Sequence, residues 1–118
     1  TTLARNIKSI ISTAEITQAA NAQVAATVLT GEVDLAIVDV DFDAEGGIAT
    51  LRAAKEQEPP VPTIALTANA VYREQAANAG ADETLANPPP FAELQVVLVR
   101  ALGKPLAVRP ISIPSADG

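Results

Sequence analysis

The apolar positions of this chain fall into two patterns that alternate along its length. Leu3, Ile7, Ile10 and Ile11 recur at intervals of one helical turn, with Arg5, Asn6 and Lys8 between them, and predict an opening amphipathic helix. Residues 15–19 then predict a short strand. Asn21 is placed to cap a helix running through Ala22, Val24, Ala25, Val28 and Leu29, and Gly31 to stop it in a left-handed conformation.

Beyond that helix the apolar residues come in short continuous runs. Leu35-Ala36-Ile37-Val38 ends abruptly in Asp39, and Thr63-Ile64-Ala65-Leu66 ends in Thr67. Runs of this kind suit strands covered on both faces of a parallel sheet, where no solvent side imposes an alternation of polar residues. Between the two runs, residues 48–55 predict a helix that follows Gly46-Gly47 and is closed by Glu58-Pro59-Pro60. Residues 71–79 predict an Ala-rich helix with Gly80 as its stop. Residues 83–86 predict a brief strand before Asn87 and three prolines, and residues 91–102 a last helix. Strands alternating with helices at this spacing predict an α/β fold with a parallel sheet, right-handed crossovers and helices on both faces.

Composition narrows what such a fold does. A chain of 118 residues forms one domain. Hydrophobic residues make up 48% but aromatic residues only 3%, so the core is built from Ala, Val, Ile and Leu. The net charge of −6 opposes a nucleic-acid partner, whose affinity depends on clustered Lys and Arg. The absence of Cys and His removes disulfides, thiolate chemistry, the usual zinc sites and histidine acid–base catalysis. No apolar run approaches the roughly 18 residues that span a bilayer, and the expected location is cytoplasmic.

Carboxylates and hydroxyls remain as the chemical groups. In an open parallel sheet, residues at the C-terminal ends of the strands converge on one crevice. Asp39, Thr67 and Asn87 all fall at such ends.

Four pieces in order carry a resemblance: Asp34-Leu35-Ala36-Ile37-Val38-Asp39, then Gly47-Ile48, then Ile64-Ala65-Leu66-Thr67-Ala68, then Ala79-Gly80-Ala81-Asp82. Over residues 2–102 the chain resembles a receiver domain of two-component response regulators. The resemblance implies a flavodoxin-like (CheY-like) three-layer fold over residues 1–103, with its first strand missing or replaced. It also implies a signalling module with no catalysis of its own, working with a histidine kinase or an output domain and open to forming a homodimer, with neither nucleic acid nor membrane as partner.

Family roles carry over residue by residue. Asp39 matches the phosphoacceptor, a carboxylate that attacks a phosphohistidine, and Thr67 the switch hydroxyl that moves toward the new phosphoryl group. Thr84 stands at the second switch position, where the family has an aromatic residue, and is too small to swing between buried and exposed sites. Asn87 replaces the family's lysine before proline and cannot supply its positive charge. A cis bond at Asn87-Pro88 matches the family's cis peptide at this place. The acidic pair that holds Mg²⁺ in the family belongs to a segment ahead of this sequence, so the expected cofactor is none, with Mg²⁺ left open at Asp39 and Asp41. Asp41, Asp43 and Glu45 form either a cation loop or a solvated acidic loop. The resemblance with these departures implies a receiver or pseudo-receiver of a two-component phosphorelay that acts through protein contacts, with Asp39 at the phosphoacceptor position.

In the flavodoxin-like order the first strand is central, so its slot needs an occupant. Residues 104–118 form either a linker or an extra or swapped strand entering that slot, with Pro110 against the latter; alternatively, the strand lies outside this sequence. The last helix carries more apolar residues than one stripe needs, and Phe91, Leu94 and Leu98 are candidate interface positions unless the tail covers them. Two other functions compete. Asp39-Val40-Asp41 followed by Thr67 also resembles the nucleophile motifs of haloacid-dehalogenase-type phosphatases, and a degenerate receiver can bind a small ligand in its acidic crevice.

Overall fold

The computed structural model describes residues 2–102. The tail, with the extra or swapped strand expected there, lies outside the described residues. The elements run α1 (Thr2–Ile10), α2 (Ala22–Leu29), β1 (Ala36–Asp39), α3 (Ala44–Lys55), β2 (Thr63–Leu66), α4 (Ala70–Asn78), β3 (Glu83–Leu85) and α5 (Phe91–Leu102). The strands are parallel in the order β1-β2-β3, with Ile37 opposite Ile64 and Leu66 opposite Leu85.

Successive strand side chains point to opposite faces, and this builds two cores from one sheet. Ile64, Leu66 and Leu85 face Leu94, Val97 and Leu98 of α5, with Leu3 and Ile7 of α1 and Ile37 of β1 packed alongside. Val38 and Ala65 face the other way, onto Leu51 of α3 and Ala76 of α4. A third cluster joins Leu29 of α2 to Ala54 and Val61. The result is the three-layer α/β receiver fold, with the central strand β2 buried along its whole length.

The helix ends follow local chemistry. Asn21 accepts from the Val24 N–H at 2.9 Å, Asp43 from the Gly46 N–H at 3.1 Å, and Asn69 from the Val71 N–H at 2.8 Å. The Asp43 cap starts α3 at Ala44, four residues ahead of the expected start, and carries Gly46 and Gly47 into the helix. Gly47 packs closely against the end of β1: an added Cβ would lie 3.3 Å from Val40 Cα and 3.4 Å from a Val38 methyl. Gly80 ends α4 with φ of +109°, as expected of a left-handed stop, whereas the cap of α2 is Thr30 in the right-handed region and Gly31 does not adopt positive φ.

One expected element is absent. Residues 15–19 form no strand, and all but Ile16 are exposed. A strand exists through its ladder, and in the flavodoxin-like order the strand at this place pairs only with the first one. No strand among the described residues stands there to pair with it.

Candidate functional site

Parallel pairing sets the geometry of the site. Asp39 is opposite Leu66, and the ladder continues one step beyond the strand ends through Val40 N–H to Leu66 O and Thr67 N–H to Leu85 O, both at 3.0 Å. Residues just after β1, β2 and β3 therefore meet at one sheet edge, and Asp39, Thr67 and Asn87 are brought together as the sequence predicts.

Asp39 is exposed at that edge. Its Oδ1 accepts from the backbone N–H groups of Asp41 at 3.0 Å and Phe42 at 3.2 Å, and from Asn87 Nδ2 at 3.0 Å. The first two bonds are the local turn that aspartate side chains form with the backbone ahead of them, and they fix the carboxylate before any ligand arrives. Oδ2 has no hydrogen-bond partner among the described residues, which leaves one carboxylate oxygen open to attack an electrophile.

Sequence reasoning did not find the role of Asp41. Its Oδ1 accepts from Thr67 Oγ1 at 2.5 Å, and its Oδ2 from Ala68 N–H at 2.8 Å and Asn87 Nδ2 at 3.2 Å. These bonds hold its carboxyl below the ordinary value of 3.8; the Thr67 hydroxyl contributes most, then the Ala68 amide, against an opposing effect of desolvation that outranks the further lowering by Asn87. Thr67 is fully buried and also accepts from the Asn69 N–H at 3.0 Å, so its hydroxyl is held from both sides. Asp41 and Thr67 are 26 residues apart. The only signal for their meeting was the strand register, which no local pattern encodes.

No cation among the described residues is bonded to either carboxylate. Among the described residues Lys55 pairs with Asp82 and Arg100 with Glu83, and both of these acids belong to the start of β3, at the opposite end of the sheet. Asn87 bridges Asp39 and Asp41 with a neutral amide.

The acidic loop does not gather round a cation. Asp43 is engaged as the cap of α3, Glu45 is exposed, and no group of three acidic, His or Cys side chains is placed to hold a metal among the described residues. Asp39 Oδ2 supplies one of the oxygens that octahedral Mg²⁺ takes, and the described residues add no acidic cluster to complete the set. The surface hollow bounded by Lys55, Pro60, Asp82, Glu83 and Arg100 is likewise remote from Asp39.

The remaining sites divide. Thr84 is half-buried in β3. Leu94 is fully buried and Leu98 nearly so, in the core against β2 and β3, which corrects their assignment to an interface: they are the inner stripe of α5. Phe91, at 46% exposure, and Val96, at 54%, are the apolar residues α5 presents outward. The Asn87-Pro88 bond is cis.

The family model for the response regulator receiver domain matches residues 1–99. The receiver domain of the sensor histidine kinase PA1611 from Pseudomonas aeruginosa, with a magnesium ion coordinated in its active site cleft, is 30% identical and superposes with a TM-score of 0.75 over 87% of each chain. The receiver domain of a signal transduction histidine kinase from Syntrophus aciditrophicus is 25% identical, with a TM-score of 0.70 over 95% of this chain and 90% of that one. A response regulator receiver protein from Burkholderia phymatum is 26% identical, with a TM-score of 0.68 over 89% and 91%. No curated protein matches the chain. A haloacid-dehalogenase-type site would need a basic residue beside the nucleophile, and among the described residues none is bonded to Asp39 or Asp41. With an aspartate ending β1, a buried threonine following β2 and a cis proline bond following β3, all within a matching fold, the chain belongs to the response regulator receiver domain family.

Proposed function

We propose that this domain is a pseudo-receiver of a two-component relay: Asp39 occupies the phosphoacceptor position, and the signal passes through protein contacts rather than through a stable phosphoaspartate. The observation that carries this reading is the neutral bridge from Asn87 to Asp39 and Asp41. A phosphoryl group arriving at Asp39 would add negative charge beside a second carboxylate, with an amide where a cation is needed. Such an adduct forms slowly and does not accumulate.

Its partners are a histidine kinase or an output domain, in the cytoplasm. Phe42, at 82% exposure, and Val71, at 59%, flank the edge that carries Asp39, while Phe91 and Val96 offer a second contact on α5. The α5 face is also where a second copy of the chain would dock. The domain acts by binding and is not an enzyme.

Incubation with Mg²⁺ and acetyl phosphate, followed by intact mass, tests the reading. Folded wild-type protein should gain no stable phosphoryl group, like Asp39→Asn. A stable adduct in wild type that Asp39→Asn abolishes would make this a working receiver.

A further inference from the structure

Three hydrogen-bond donors, from two separate parts of the chain, converge on Asp41. They are the Thr67 hydroxyl at 2.5 Å, the Ala68 backbone N–H at 2.8 Å and the Asn87 carboxamide at 3.2 Å. The hydroxyl bonds Oδ1 and the two amides bond Oδ2, so both oxygens of one carboxylate are held, and donors so arranged can hold an oxyanion, because each presents hydrogen to a group that offers only lone pairs. The same Asn87 nitrogen lies 3.0 Å from Asp39 Oδ1, so the pocket adjoins the open carboxylate of Asp39.

We propose that Asp41 is a built-in ligand: its carboxylate occupies an oxyanion pocket formed by Thr67, Ala68 and Asn87, excludes an external tetrahedral oxyanion, and holds Thr67 in its engaged position without phosphorylation. This deepens the pseudo-receiver reading and rests on it for the biological consequence, that the switch hydroxyl is permanently set. The occupancy itself rests on geometry alone. Thr67 Oγ1 gives its proton to Asp41 and receives that of the Asn69 N–H at 3.0 Å, so rotation of the side chain breaks two bonds in a fully buried position. An external anion entering the intact site would have to displace a tethered carboxylate that has no translational freedom to lose.

Removing the tethered group should open the pocket. The full chain is labelled with ¹⁵N and titrated with inorganic phosphate, as wild type and as Asp41→Ala. The Ala68 amide and the Asn87 side-chain amide should shift saturably in Asp41→Ala and not in wild type. Adding Thr67→Val to Asp41→Ala should weaken phosphate binding about tenfold, the scale of one hydrogen bond to a charged group. Saturation in wild type with the affinity of the variant, or no response from a folded Asp41→Ala, overturns the proposal. If the alanine variant does not fold, Asp41→Ser is read in the same way. In wild type, three-bond couplings should report a single χ1 rotamer for Thr67 that phosphate does not change, and averaged couplings overturn the proposal independently. Inorganic phosphate transfers nothing to Asp39, so this result stands or falls apart from the acetyl phosphate result.

Discussion

Asn87 Nδ2 lies 3.0 Å from Asp39 Oδ1 across 48 residues of sequence, a neutral amide bonded to the carboxylate proposed for the phosphoacceptor position. Its second bond, to Asp41 at 3.2 Å, makes it the bridge between two anions that no cation among the described residues pairs with.

Asn87→Lys should therefore change the chemistry of the site more than its structure. An ammonium in that place makes charge-assisted bonds about twice as strong as those of the amide. With Mg²⁺ and acetyl phosphate, the variant should accumulate a phosphoryl adduct detectable by intact mass where wild type shows none. A variant that also shows none would mean that the charge at this position is not what limits the site.

The two sides of α5 should respond differently to truncation. Leu94→Ala removes a fully buried side chain from the cluster with Ile64, Leu66 and Leu85 and should cost about 2–5 kcal/mol in denaturant unfolding. Val96→Ala, on the outward side, should stay within about 0.5 kcal/mol. A similar cost for both would contradict the inward orientation of Leu94.

Gly80 holds φ at +109°, a conformation that side chains with a Cβ rarely adopt. Gly80→Ala should destabilise the domain by at least about 1 kcal/mol, and the added Cβ would also press on the Lys55 side chain at 3.1 Å. Gly31→Ala meets only Val28 O at 3.4 Å and should be close to neutral. Thermal melts of the two variants side by side decide between them.

The Asp41 carboxyl has a lower pKa folded than unfolded, so its ionised form is favoured by folding. Its contribution to stability is fully present above the ordinary value of 3.8 and is lost as pH falls through the lower folded value. Side-chain ¹³C shifts should show Asp41 titrating below 3.8, and Thr67→Val should move its midpoint upward because the largest stabilising bond is gone. An unchanged midpoint in Thr67→Val would remove that bond as the cause.

Much of the fold was legible in the sequence because its signals are local. The four-residue apolar runs ending in Asp39 and Thr67 mark β1 and β2 to within one residue, and Asn21 and Gly80 mark helix ends through bonds or backbone angles of their own immediate segments. The expected strand at residues 15–19 failed for the opposite reason: a strand needs a neighbour, and its own sequence cannot supply one. The start of α3 was missed because the Asp43 cap outweighed the low helix propensity of two glycines.

The site divides along the same line. Sequence alone determined that an aspartate, a threonine and an asparagine stand at the ends of three parallel strands, that no histidine or cysteine takes part, and that the lysine position is neutral. Only the tertiary structure decided that Asp41 takes the Thr67 hydroxyl and the Ala68 amide, and that Leu94 and Leu98 turn inward. Composition and spacing fix which groups reach a sheet edge, whereas the partner of each group there depends on distances of a few tenths of an ångström between residues dozens apart in sequence, set by strand register and helix rotation.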